Sequence, residues 1–142
     1  MNQAPDLVRL NLSGFLNRLT IPSSLGLLRL ALEVKLQDWS SVSFPPTLQS
    51  LSLIRSNFTG SLPPLPHLRH LYLGNYSYPK PLRLVSFTQF PLLTSLYFLK
   101  IHHGDWTTIE YPPTLQDLVF RESNCDFICL IYPTCVSYIS KT

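Results

Sequence analysis

The residues that could ligate a metal or move a proton are few and poorly arranged for either task. The chain of 142 residues has four histidines: His67, His70 and the pair His102–His103. His67 and His102–His103 stand beside no conventional base or nucleophile pattern and read as surface histidines. Three cysteines form the run Cys125-x3-Cys129-x5-Cys135. That spacing matches no usual zinc knuckle. Cys135 is expected to fill an inward apolar slot, with the other two packed near the C-terminal end. An odd cysteine count in a reducing compartment implies free thiols, while a disulfide stays open if the protein is secreted. The eight carboxylates, from Asp6 to Asp126, are scattered. The chain shows no nucleophile elbow, phosphate loop, zinc-protease helix or paired-carboxylate pattern. The expectation is a protein that is not an enzyme and needs no cofactor or metal.

The chemistry on offer is contact, and a repeated phrase positions it. Pro-x-Leu-x-x-Leu-x-Leu occurs at Pro46, Leu48, Leu51 and Leu53, and again at Pro66, Leu68, Leu71 and Leu73. Aligned on the first leucine, copies begin at Leu7, Leu25, Leu48, Leu68, Leu93, Leu115 and Cys135. The steps between them are uneven but centre on about 21 residues, and a recurring period of this kind marks a stack of like units. The seventh copy is degenerate, with Cys135, Tyr138 and Ser140 in the leucine slots. In the second copy, Leu27, Leu30 and Leu32 offer a rival frame.

Side chains alternate across an extended segment, so the second and third leucines of a copy share one face. Proline fixes φ at about −65° and favours an extended residue before it. Each copy therefore reads as an extended proline lead-in, a short strand and a turn. Burying three leucines falls short of the entropy of ordering a whole copy, so stability must come from stacking. Copies of equal direction make the strands parallel. Residues 31–43 and 81–92 are expected to hold short helical turns. Phe58, Leu62, Leu84, Phe87, Phe90, Ile101, Ile109 and Phe120 complete the expected core, and Gly60 is free to take positive φ.

The residues between inward leucines form two outward columns. One runs Arg9, Leu27, Ser50, His70, Ser95, Asp117, Ser137. The other runs Asn11, Arg29, Ser52, Tyr72, Tyr97, Val119, Ile139. The candidate partner-binding residues are Arg29, Ser52, His70, Tyr72, Ser95, Tyr97, Asp117 and Val119. Tyr72 and Tyr97 give aromatic area with polar tips, a composition suited to a contact surface. The plainer alternative is a set of β-favouring residues on a solvated face.

Composition narrows the partner. Charged residues make up 13% of the chain, about half the usual share, and the net charge is +3. Basic residues are dispersed, with no Lys/Arg run, so nucleic acid is not an expected partner. No apolar segment is long enough to span a bilayer, and the N-terminus lacks a basic head followed by an apolar run. A cytoplasmic location is the expectation. The triplets at Asn11, Asn57 and Asn75 match the glycosylation pattern and would matter only in a secreted protein.

The L-x-x-L-x-L phrase at this spacing resembles the leucine-rich repeat over essentially the whole chain. LPPLPHLRHLYL is similar to the short proline-containing subclass. LQSLSLIRSNFTGSLPPL resembles the plant-type repeat through Phe58, Gly60, Leu62 and Pro63, with Ser56 in the usual asparagine slot. The slots three residues after the last strand leucine hold Phe15, Glu33, Ser56, Tyr76, Ile101 and Ser123, which implies an uneven convex edge. The resemblance implies one α/β-class solenoid domain over 1–142. Its concave side is a parallel β-sheet, and its convex side is mostly irregular or extended with a few helical turns. It also implies a protein partner, bound by an adaptor or recognition subunit. Two alternatives stand beside this. The chain is a fragment of a longer repeat protein, inactive alone and open to self-association through uncapped end strands. Or it is part of a secreted or cell-surface receptor.

Overall fold

The computed structural model describes residues 8–22, 26–36, 42–56, 62–74, 86–100, 109–121 and 135–138. Seven strands form one sheet in chain order: β1 (Arg9–Leu16), β2 (Arg29–Leu36), β3 (Ser50–Ile54), β4 (His70–Gly74), β5 (Ser95–Leu99), β6 (Asp117–Arg121) and β7 (Cys135–Tyr138). Every pairing is parallel. A parallel neighbour needs a crossover behind the sheet. Repeating that crossover always toward the next strand winds the chain into a solenoid.

The prolines before the strands do more than extend the chain. The amides of Leu48, Leu68, Leu93 and Leu115 donate to the carbonyls of Pro45, Leu65, Phe90 and Pro112 at 3.1–3.2 Å. These are four-residue turns with Pro46, Pro66, Pro91 and Pro113 at the second position, where the φ that proline imposes is the one the turn requires. Each turn aims two apolar groups inward. Pro45, Leu65, Phe90 and Pro112 are buried, and so are Leu48, Leu68 and Leu93. The expected extended lead-in is thus a closed turn.

A shared-carbonyl ladder then sets the spacing of the stack. The carbonyl of Val8 accepts from the amides of Leu28 and Arg29 at 3.0 and 2.9 Å. Leu28 accepts likewise from Gln49 and Ser50, Gln49 from Arg69 and His70, Arg69 from Thr94 and Ser95, and Thr94 from Gln116 and Asp117. Threonine hydroxyls add to it. Thr47 Oγ1 donates to the Leu27 carbonyl and Thr114 Oγ1 to the Leu93 carbonyl, both at 2.8 Å. In each case the residue just before one strand's lead-in leucine grips the lead-in leucine of the strand before.

Strand pairing sets the register at two places. Leu30 pairs with Leu10 and Leu51, and Leu32 pairs with Leu12, so the second copy uses Leu27, Leu30 and Leu32. Leu27 is fully buried and does not belong to an outward column. The lead-in leucines Leu27, Leu48 and Leu68 are then almost evenly spaced along the chain, whereas the Leu25 frame lengthens the step to Leu48. At the other end Cys135 pairs with Leu118 and Ser137 with Phe120. Cys135 therefore does not align with Leu115, and β7 is shifted by three residues from the expected copy.

Two further expectations change. The stretch 31–43 does not begin with a helical turn: Ala31–Leu36 continues β2, and β1 and β2 pair over eight residues from Arg9↔Arg29 to Leu16↔Leu36. The sequence RLALEVKL alternates apolar and polar residues with period two, and that strand signal extends to Leu36. Residues 86–92 hold turns and one bridge, Ser86↔Glu110, and there is no helix among the described residues. The first part of 81–92, together with Phe58, Gly60, Leu84 and Ile101, lies outside the described residues.

The core lies on one side of the sheet and changes character along the stack. Beside β2, β3 and β4 it is leucine, including Leu30, Leu32, Leu51, Leu53, Leu71 and Leu73. Beside β5 and β6 it becomes aromatic. Phe98 stacks on Phe120 at 5.2 Å between centroids, and Phe87 meets Phe98 edge-on at 5.8 Å. Phe87 also stacks on Tyr111 at 6.2 Å. Phe90 and Ile109 are buried as expected, and Leu62 is partly buried. β3 and β5 end on left-handed residues, Arg55 (φ 62°) and Lys100 (φ 51°), which turn the chain out of the sheet. Behind β3 the buried Ser56 hydroxyl donates to the Leu53 carbonyl at 2.7 Å and closes the turn.

Candidate interaction face

Strand alternation leaves the other side of the sheet open, and the register orders it into rows. The first row is Arg9, Arg29, Ser50, His70, Ser95 and Asp117. The second is Asn11, Ala31, Ser52, Tyr72, Tyr97 and Val119. Seven of the eight candidate residues occupy their expected columns: Ser52, Tyr72, Tyr97 and Val119 in the second row, His70, Ser95 and Asp117 in the first. Arg29 does not. It follows the corrected frame into the first row between Arg9 and Ser50, and Ala31 takes its place beside Ser52.

The centre of the face is aromatic. Tyr72 and Tyr97 are paired across β4 and β5, with centroids 5.8 Å apart and planes inclined by 47°. Both are half-buried. A tilted pair at this distance matches the preferred arrangement of aromatic quadrupoles. Beside it, Ser95 Oγ donates to Asp117 Oδ2 at 3.2 Å, which orients that exposed carboxylate. Arg29 is exposed at the opposite end of the same row.

A third row, missed by the two-column reading, borders the tyrosines at the strand ends: Ile54, Gly74, Leu99 and Arg121. Gly74 lets its neighbours close over it. A Cβ there would stand 3.2 Å from the Leu99 carbonyl oxygen, 3.3 Å from Leu99 Cβ and 3.5 Å from Ile54 Cγ1. Leu99 is buried and Ile54 half-buried, so this margin is aliphatic. The signal is present in the sequence, since Ile54 and Leu99 continue the alternation one step past Ser52 and Tyr97. The face thus grades from polar at the strand starts, through aromatic, to aliphatic at the strand ends.

Other candidate groups lie elsewhere. His67 is exposed in the turn before β4, at the third turn position. Asn11 is exposed in β1, whereas Asn57, Asn75, His102, His103, Cys125 and Cys129 lie outside the described residues. Among the described residues, no group of three or more His, Cys, Asp or Glu could hold a metal ion. Nor is any helix there long and apolar enough to cross a membrane. Comparison with known protein families, curated proteins and solved structures gave no match.

Proposed function

We propose that this chain is a non-catalytic leucine-rich-repeat module that binds a protein partner through the open face of its sheet, as an adaptor or recognition subunit. The observation that carries the reading is the half-buried Tyr72–Tyr97 pair at the centre of that face. Tyrosine brings contact area with only two side-chain torsions to immobilise, so binding loses little entropy there. The surrounding Ser52, His70, Ser95 and Val119 supply a rim able to exchange hydrogen bonds and exclude water. The leucine-rich-repeat assignment is supported by the spacing of Leu27, Leu48 and Leu68 and by one parallel strand per copy. A cytoplasmic site of action goes with it.

The test is selection of binders from a displayed random-peptide library on the folded protein, followed by titration of the Tyr72→Ala/Tyr97→Ala variant. Folding of the variant is checked by circular dichroism. A loss of at least about tenfold in affinity is expected for two central aromatic anchors. Binders that keep their affinity for the double variant would remove the open face from consideration.

One observation favours a second reading, a section of a longer stack that self-associates. Leu10, Leu12 and Leu16 of β1 are only partly buried, whereas their partners Leu30, Leu32 and Leu36 on β2 are buried. Sedimentation velocity decides it: concentration-dependent growth supports this reading, and a monomer across the whole range removes it.

A further inference from the structure

The open face has a charge polarity along its first row, and we infer that its partner is an extended peptide segment of opposite polarity. This rests on the reading of the open face as a protein-binding surface and specifies what binds there. Arg9 and Arg29 are paired neighbours and both exposed at the β1–β2 end. Asp117 is exposed at the β6 end, its carboxylate held by Ser95. Between them the row is uncharged at Ser50 and Ser95, with His70 at its centre.

β2 and β6 are four strand steps apart in the sheet. At ~4.8 Å per step the charged ends are separated by ~19 Å, and an extended peptide at ~3.3 Å per residue covers that in about six residues. The partner segment carries an acidic residue at the Arg9–Arg29 end and a basic residue about six positions away, at Asp117. An apolar or aromatic residue midway leans onto Tyr72 and Tyr97.

The far margin carries the reverse polarity, Glu33 on β2 and Arg121 on β6, both exposed. It does not compete, because the row between is the aliphatic Ile54–Gly74–Leu99 margin, which offers an extended backbone no side-chain hydrogen bonds. The first row offers Ser50, His70 and Ser95 instead. Only the first row joins charge at both ends to hydrogen-bonding groups in the middle.

Three fluorescein-labelled peptides of about seven residues, with blocked ends and a central Tyr-Pro, test this by fluorescence polarisation. They differ only at the first and last positions: acid and base, acid and acid, or base and base. The mixed peptide should bind about three- to tenfold tighter than either uniform one, since each exposed ion pair adds at most about fivefold. The gap should shrink in about 0.5 M salt, where exposed charges are screened. Asp117→Arg should transfer the preference to the acid–acid peptide, and Arg29→Glu should move it toward base–base. Glu33→Gln and Arg121→Gln should leave it unchanged. If all three peptides bind alike and all are lost on Tyr72→Ala/Tyr97→Ala, the polarity is refuted while the binding face stands. If none binds above background, or if Glu33→Gln and Arg121→Gln are the variants that shift the preference, the inference is overturned. The library selection decides the binding face independently.

Discussion

Leu71 and Tyr72 are adjacent in β4, yet the alternation of the sheet sends them to opposite sides. Leu71 is fully buried between its strand partners Leu51 and Leu96. Replacing it with alanine removes three carbons from a site walled by other leucines that are themselves pinned by paired strands, so little collapse is available. Such substitutions cost about 2–5 kcal/mol, and the rigid surroundings place this one near ~3 kcal/mol or above. Tyr72→Ala loses the tilted contact with Tyr97 and some half-buried area, about 0.5–1.5 kcal/mol. The assay is urea unfolding followed by far-ultraviolet circular dichroism and tryptophan fluorescence. With a common slope of about 1–3 kcal/mol per molar urea, Leu71→Ala should lower the midpoint by about 1–3 M and Tyr72→Ala by about half of that or less. Coincident transitions by the two probes, with unchanged slopes, would license the comparison. If Tyr72→Ala costs as much as Leu71→Ala, the open face is not open and the assignment of rows is wrong.

Two other substitutions probe how the stack is joined. Thr47→Val and Thr114→Val keep shape but remove the hydroxyls that grip the Leu27 and Leu93 carbonyls; each should cost about 1 kcal/mol in the same assay, and the two should add because they lie in separate turns. Gly74→Ala places a methyl 3.2 Å from the Leu99 carbonyl oxygen and 3.3 Å from Leu99 Cβ and should cost about 1–2 kcal/mol, and Leu99→Ala should not relieve the loss, because alanine keeps both of those atoms.

The repeat period and the inward leucines are legible in the sequence because burial acts on residue type directly. A slot with no access to water takes leucine or phenylalanine again and again, as at Leu51, Leu71, Leu96 and Leu118. The second frame is harder to read for a physical reason. In SLGLLRLAL, leucines sit at both parities, and only the hydrogen-bond ladder through Val8, Leu28 and Gln49 shows that Leu27 is the lead-in. Arg29 leaves its expected column for that reason alone. The length of β2 is obscured by Glu33, Lys35 and the leucines around them, which suit a helix as well as a strand. Pairing with β1 decides it, and pairing is not local. In the seventh copy too few leucines survive to fix the register, and the pairing of Cys135 with Leu118 differs from the alignment by three residues. The third row is marked in the sequence only by Ile54 and Leu99 continuing the alternation, and how far it runs depends on the strand ends. These depend on where Arg55 and Lys100 adopt positive φ, a conformation that carries no mark in an arginine or a lysine.

The position of the tyrosines in the sheet bears on why a binding face would be built there. β4 and β5 are central strands, each hydrogen-bonded on both sides through five residue pairs. Beneath them the core passes from leucine to stacked phenylalanine, with Leu71 and Phe98 both buried. Side chains on such strands start from a fixed backbone, so a partner need not order the surface in order to bind it. An edge strand offers more exposed apolar area, as Phe15 does with 82% of its surface accessible and the Lys35 ammonium 5.3 Å from its ring centroid. Contact there, however, would depend on a strand paired with one neighbour among the described residues. Exposed area alone therefore favours β1, whereas pre-organisation favours β4 and β5. Affinity follows pre-organised, centrally placed aromatics more closely than it follows area. The Tyr72–Tyr97 pair is for that reason the stronger candidate of the two.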